Sequence, residues 1–298
     1  MFHDSIAVIG GDARQKWLAR TLERHHLLSA VYAVPDYRPA SSQIAVLDGP
    51  DQLSAYTCIA APVPLARNAQ VTMPPDAPPL SLALLVQILT AGQRIAGGNL
   101  PVAFVEQCRN KQIITHDYLQ SEPLALGNAA ITAEGMLAVL LECTPYTLQN
   151  TAVLLLGYGR CGLLLAQKLQ ALGSVVTICE IDPARRALAR AQSFATLPPQ
   201  ALPTVLSDCE LIVNTAPAPV LTADLIRHLP ASAMLFDLAS SPGGICQQAA
   251  EARDLFYRSC PGLPGSSAPQ TAGELLAEDL LRFLGRGRPP GKDDGYAC

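Results

Sequence analysis

The chain has 298 residues, a formal net charge of −4, and 49% hydrophobic against 15% charged side chains. That length can hold two α/β domains with a core each, and the composition excludes a chain too polar to bury one. The mild acidity gives no electrostatic reason to expect nucleic acid or an anionic membrane surface as partner. No basic segment precedes an apolar stretch at the N-terminus, so no signal peptide is expected, and the apolar run Leu80–Ala91 is too short to cross a bilayer. Nine cysteines occur singly, with neither C-x-x-C nor His/Cys pairing at metal spacing. They read as reduced thiols of a cytoplasmic protein without a metal site.

In chain order, Ile6–Ile9 reads as a strand, then Gly10-Gly11-Asp12-Ala13-Arg14 opens a helix to about Arg24. This junction lacks a third glycine at dinucleotide spacing, and Asp12 puts a carboxylate where a phosphate would lie. Arg14 on the first helical turn suits a substrate carboxylate, which a guanidinium binds bidentately; an ordinary surface arginine is the alternative. Strands follow at Val31–Val34, Ile44–Leu47 and Cys58–Ala61, the last running into Pro62-Val63-Pro64 at the kind of sheet edge that binds ligands. A proline-rich loop (73–79), a helix from near Ser81 and a strand at Ile113–Thr115 complete a parallel, flavodoxin-like sheet. The segment Asn128–Gly135 then precedes an apolar helix, Met136–Cys143, for which Thr132 and Glu134 make a plausible capping pair. Lying just ahead of the second domain, Asn128, Thr132, Glu134 and Gly135 are expected to line a cleft.

The next segment carries the strongest signal. Thr151–Leu156 is a buried strand running into Gly157-Tyr158-Gly159-Arg160-Cys161-Gly162, a G-x-G-x-x-G turn, and then a helix to Leu172. Gly157 permits the tight turn, Gly159 lets backbone approach a diphosphate, and Gly162 lets the helix pack close to the sheet. Cys161 reads as a small packing residue rather than a nucleophile. Val175–Cys179 completes the βαβ unit, and Glu180 stands where a carboxylate reads the ribose 2′-hydroxyl of NAD. Arg185 and Arg186, just downstream, could instead hold a 2′-phosphate, and Asp182-Pro183 also fits a simple helix start. The expectation is NAD or NADP, with NAD favoured by Glu180.

Two further strands end in polar loops suited to the rest of the cofactor: Leu211–Val213 before Asn214-Thr215-Ala216-Pro217, and Met234–Phe236 before Asp237-Leu238-Ala239-Ser240. Asp237 reads as orienting loop backbone groups. Leu255–Tyr257 and Pro261-Gly262-Leu263-Pro264-Gly265 follow, with Leu263 and Pro264 as further cofactor contacts. The expected architecture is α/β: two doubly wound parallel-sheet domains. An N-terminal substrate domain (1–143) precedes a Rossmann domain (144–270), a helix packing back on the first domain (271–285) and a flexible tail (286–298).

Several segments, taken together, resemble the dipicolinate synthase A-subunit family over roughly residues 6–285. They are Ile6–Gln15; Asn128 with Thr132, Glu134 and Gly135; Gly157–Gly162; Asn214–Pro217; Asp237–Ser240 with Pro242–Gly244; and Pro261–Gly265 with Ala268, Pro269 and Thr271–Gly273. The resemblance implies NAD(P)-dependent oxidation of a dihydrodipicolinate-type compound of the lysine pathway to pyridine-2,6-dicarboxylate during sporulation. It also implies a partner, the flavoprotein-like B-subunit of dipicolinate synthase. This chain departs from the family in having Glu180-Ile181 where an arginine is usual, and Gln270 where the family carries a lysine. A dicarboxylate substrate needs cations and N–H donors, for which Arg14, Asn128, Thr132 and the backbone at Gly135 are candidates. Glu134, then Asp12, is the expected general base. A 2-hydroxyacid or shikimate-type dehydrogenase and a catalytically silent NAD-binding regulatory protein are the alternatives. The 2-hydroxyacid type needs a histidine–carboxylate pair that His228 does not suggest, and the shikimate type needs a Lys–Asp pair for which Lys16 and Lys111 are in poor contexts. A homo-oligomer is compatible with the sequence.

Overall fold

The computed structural model describes residues 5–239 and 243–286. The expected contact Ser240 and residues 287–298 of the expected tail lie outside the described residues. The chain divides into two α/β units, one from the residues up to Gly127 together with those from Ala268 on, the other Asn128–Ser267.

The first unit opens with β1 (Ile6–Ile9), α1 (Ala13–Arg24), β2 (Leu28–Tyr32), β3 (Ala45–Val46) and β4 (Cys58–Ala60). A short antiparallel hairpin, β5 (Ala66–Arg67) and β6 (Gln70–Val71), then leads to α2 (Leu82–Ile88), β7 (Arg94–Gly97), α3 (Val102–Asn110), β8 (Ile114–Asp117) and α4 (Glu122–Cys143). The sheet runs β3-β2-β1-β4-β7-β8, all parallel. The short edge strand β3 is added outside β2 before the chain crosses to β4. The order is therefore 3-2-1-4-5-6, that of dinucleotide-binding sheets, and not the flavodoxin-like 2-1-3-4-5. Each residue of β1 is fully buried: Ile6 and Val8 enter one core, Ala7 and Ile9 another. That is the continuous apolar run required of a parallel strand covered on both faces.

The second unit repeats the plan with β9 (Ala152–Leu156), α5 (Arg160–Ala171), β10 (Val175–Cys179), α6 (Pro183–Ala191), β11 (Ala195–Leu197) and β12 (Leu211–Asn214). The strand and helix series ends with α7 (Ala223–Ile226), β13 (Met234–Asp237), α8 (Gln247–Glu251), β14 (Phe256–Ser259) and α9 (Leu263–Ser267). Its order, β11-β10-β9-β12-β13-β14, is again 3-2-1-4-5-6 and parallel throughout. Val153 and Leu155 face one core, Leu154 and Leu156 the other, each burial contributing about 1.5–3 kcal/mol. The direction of winding reverses between β9 and β12, which opens the crevice where such sheets take ligands.

α4 overturns two expectations. It starts at Glu122, not Met136, so Thr132 is no N-cap: its Oγ1 donates to the Asn128 carbonyl 2.7 Å away, one turn back. Gly135, expected ahead of the helix, sits inside it, and a Cβ there would strike Ser267 and Leu263. The helix has 22 residues and holds an 18-residue window of mean hydropathy 1.7, so by length and composition it could cross a membrane, unlike the run at Leu80. Packing accounts for part of that apolarity: Leu124 enters a core of the first unit, and Ala133, Met136 and Leu140 a core of the second, while Leu126 and Leu141 are exposed.

The last helix, α10 (Pro269–Phe283), belongs to the first unit and lies along α1, so close at Gly273 that a Cβ would meet the Arg14 carbonyl and Trp17. Asp279, 2% exposed, fastens it. His116 Nε2 lies 2.7 Å from Asp279 Oδ2, Ser121 Oγ and Arg282 donate to Oδ1, and the His116 ring stacks on Phe283.

Candidate dinucleotide site

The glycine turn leaves β9 with Gly157 at φ +94°, a conformation only glycine holds without strain. Thr215, following β12, donates its hydroxyl to the carbonyls of Leu156 and Gly157 and ties the turn to the far side of the switch point. A Cβ at Gly162 would run into the Gly157 carbonyl oxygen, so that glycine sets the helix-to-sheet distance. Gly159 is the N-cap of α5 and carries no capping side chain. A Cβ built on it would find no protein atom nearer than Arg185 Nη1 at 3.9 Å. The twelve-residue helix therefore presents its positive end to open space, and this cradle fits a dinucleotide diphosphate.

That space is a cleft of about 350 Å³ lined by Gly157, Gly159, Glu180, Arg185 and the segment Thr215–Val220, with Cys179, Ile181 and Pro199. Gly157, Gly159, Glu180, Thr215, Ala216 and Pro217 thus come together as expected from the sequence. Pro199 and Ala218–Val220 had no signal, since they are apolar loop residues brought in by the sheet. A more open hollow of about 520 Å³, lined by Tyr146, Asp208 and Glu210 among others, lies at the amino ends of β9 and β12, away from the turn.

Other expected contacts hold the site from behind. Glu180 is 5% exposed, and its carboxylate accepts from Tyr158 N at 2.7 Å and Asp182 N at 2.9 Å. It therefore braces the turn while showing its charge to the cleft. Arg186 donates to the carbonyls of Glu180 and Ile181, and Asp182 caps α6 with Pro183 at N1. Tyr158 is buried and donates its hydroxyl to Gln192. Burial pushes the Cys161 thiol up, more than the Arg160 charge and a hydrogen bond with Thr132 pull it down, as befits packing rather than nucleophilic chemistry. Asn214 is fully buried and bonded to Asp237 and Ala216. Leu263, 7% exposed, is a core residue packed under α4 at Gly135. Ala239, Leu263 and Pro264 do not line this cleft.

In the first unit the corresponding turn is differently filled. Asp12 caps α1 and receives Arg14 N at 3.0 Å, Nε at 2.9 Å and Nη2 at 2.6 Å; Arg14 Nη2 also donates to the Val63 carbonyl beyond β4. Burial raises the Asp12 carboxyl, but the hydrogen bonds and charge of Arg14 outweigh it and hold the group below 3.8. Arg14 is thus buried in an ion pair and is not a surface arginine; its Nη1 has no partner among the described residues. Of the α4 candidates, Thr132 contacts Cys161 of the glycine turn, whereas Glu134 is exposed and paired with Lys168, about two turns further down α5.

A doubly wound domain with this turn and cleft, matched over residues 125–289 by the family model for the alanine dehydrogenase/PNT C-terminal domain, makes the protein an NAD(P)-dependent oxidoreductase. Residues 5–119 match the model for the N-terminal domain of the dipicolinate synthase A-subunit. The chain belongs to the alanine dehydrogenase/PNT C-terminal domain family, and its first domain is similar to that of the dipicolinate synthase A-subunit. The dipicolinate synthase A-subunit of Bacillus subtilis (strain 168) is 30% identical over 165 residues, which span 55% of this chain and 56% of that protein, little more than half its length. The crystal structure of the dipicolinate synthase A-subunit from Bacillus halodurans superposes with a TM-score of 0.84 at 24% identity, covering 95% of this chain and 98% of that one. A transhydrogenase from Sinorhizobium meliloti shares the fold with a TM-score of 0.67 at 14% identity, over 93% of both chains.

Proposed function

We propose that this chain oxidises a cyclic dihydrodipicolinate-type dicarboxylate to pyridine-2,6-dicarboxylate in the cytoplasm of a sporulating cell, beside a flavoprotein-like B-subunit. The observation that carries the reading is one chain with two sheets of identical order, one ending in an open glycine cradle and the other in a turn filled by an Asp–Arg pair. The first unit takes the substrate and the second the cofactor. NAD is favoured over NADP, because the Glu180 carboxylate at the cleft wall repels a 2′-phosphate while Arg185 is partly engaged by Asp182 at 3.7 Å.

Hydride acceptance is the chemistry the dinucleotide supplies when bound, and loss of hydride and a proton aromatises the ring. Arg14 would receive one substrate carboxylate through Nη1 while Asp12 and the Val63 carbonyl hold its guanidinium plane. Asp12, with its lowered pKa, is a weak base near neutrality, and the Glu134–Lys168 pair lies down the flank of α5, so the reading routes proton removal through neither. The test is reduction of NAD or NADP with freshly prepared precursor, with and without the B-subunit. Turnover is expected; cofactor binding without turnover in either case would leave a silent regulatory protein. Arg14→Ala is expected to raise KM on the order of a hundredfold with dinucleotide affinity unchanged, and an unchanged KM would remove Arg14 from the site.

A further inference from the structure

Asp237, at the carboxyl end of β13, has no solvent exposure. Both oxygens act as acceptors: Oδ1 takes Asn214 Nδ2 at 2.8 Å and Ala239 N at 2.9 Å, and Oδ2 takes Gly244 N at 2.8 Å and Ile245 N at 3.0 Å. Asn214 in turn grips Ala216 through N and O. The packing leaves no slack, since a Cβ on Gly244 would strike the Asn214 amide. No Lys, Arg or His pairs with this carboxylate among the described residues. Four neutral dipoles hold a buried negative charge at the sheet edge, on the side of the switch point opposite the glycine turn. In a dinucleotide-binding sheet that side takes the second mononucleotide, the one bearing the nicotinamide.

We infer that Asp237 is a charged positioning residue: it aligns the loops after β12 and β13, and its buried charge favours the oxidised dinucleotide, whose nicotinamide ring is cationic, over the reduced one, whose ring is neutral. Scaffolding alone needs only hydrogen-bond acceptors and acts equally on both redox forms. An unpaired charge in a poorly screened interior acts on their charge difference. The inference rests on the dinucleotide reading of this domain and goes beyond it, because nothing in the fingerprint requires a carboxylate here.

The experiment is the equilibrium affinity for NAD⁺ and NADH, by calorimetry and NADH fluorescence, for the whole chain and its variants. Asp237→Asn is expected to lower the ratio of NAD⁺ to NADH affinity about tenfold, the order of effect of one unit charge across a partly screened interior. Asn214→Ala keeps the charge and should weaken both forms by the same factor. If Asp237→Asn does not fold, Asp237→Ser removes the charge and leaves room for water on the released N–H groups, with the same expected shift. The unaltered protein gives a variant-free check: NAD⁺ should bind at least as tightly as NADH, and a tenfold preference for NADH would overturn the inference. Equal loss of both forms in Asp237→Asn would reduce Asp237 to a scaffold. An unaltered protein that binds neither form would remove the dinucleotide reading itself, and the inference with it.

Discussion

The two turns at Gly10 and Gly157 occupy the same place in sheets of the same order, and each leads into a twelve-residue helix. Counted from the N-cap, Asp12 stands where the other has Gly159, and Gln15 where the other has Gly162. In the second unit those glycines leave a gap over the helix end and let backbone touch backbone. In the first, the Gln15 amide fills the gap, donating to the carbonyls of Ile9 and Ala60 on either side of the switch point. Asp12 covers the helix end and recruits Arg14. Topology thus supplies a crevice in both units. Two side chains decide that one helix end stays open while the other is covered and carries a guanidinium.

The comparison breaks most sharply at Gly162. Gly162→Val drives a branched side chain into the Gly157 carbonyl and the Thr215 hydroxyl. It should abolish dinucleotide binding by fluorescence titration and destabilise the second unit by about 2 kcal/mol, roughly 5 °C in melting temperature. Glu180→Gln keeps the brace on Tyr158 but removes the charge, and should shift the NAD-to-NADP affinity ratio about tenfold towards NADP. An unmoved ratio would make Glu180 a brace only.

The smallest effect concerns closure of the first unit. Burial raises the Asp279 carboxyl, yet hydrogen bonds from His116 and Ser121 and the charges of His116 and Arg282 hold it below 3.8. A depressed carboxylate stabilises the fold fully above its unfolded value and loses that contribution as pH falls from there through the folded value. Asp279→Asn should therefore lower the melting temperature by a few degrees at pH 7, with a difference from the unaltered protein that shrinks below about pH 4. A constant difference across pH would show that packing, not charge, fastens α10.

The buried strands and the glycine turn were legible because parallel strands need unbroken apolar runs and the turn needs glycine at fixed spacing. The flavodoxin-like expectation failed on the place of β3: the strand was legible at Ile44–Leu47, but two exposed residues carry no pattern that says they pair outside β2. The helix start before Met136 rested on Thr132 and Glu134 as a capping pair, whereas both lie inside α4 and Gly135 marks contact with α9. Glu134 was favoured for its place in the chain, but helical geometry turns it to Lys168. Asn214 and Leu263 sit in motifs at the right sheet edge, and only their burial separates a wall from what stands behind it.

The central claim is that only the second of the two turns holds a dinucleotide. Calorimetric titration of the full chain with NAD⁺, beside Gly159→Asp, tests it most directly. This variant gives the second turn the carboxylate that the first already carries at its N-cap. One site per chain, lost in Gly159→Asp with both units still folded, is the predicted result. Two sites, or binding that survives in Gly159→Asp, would contradict it.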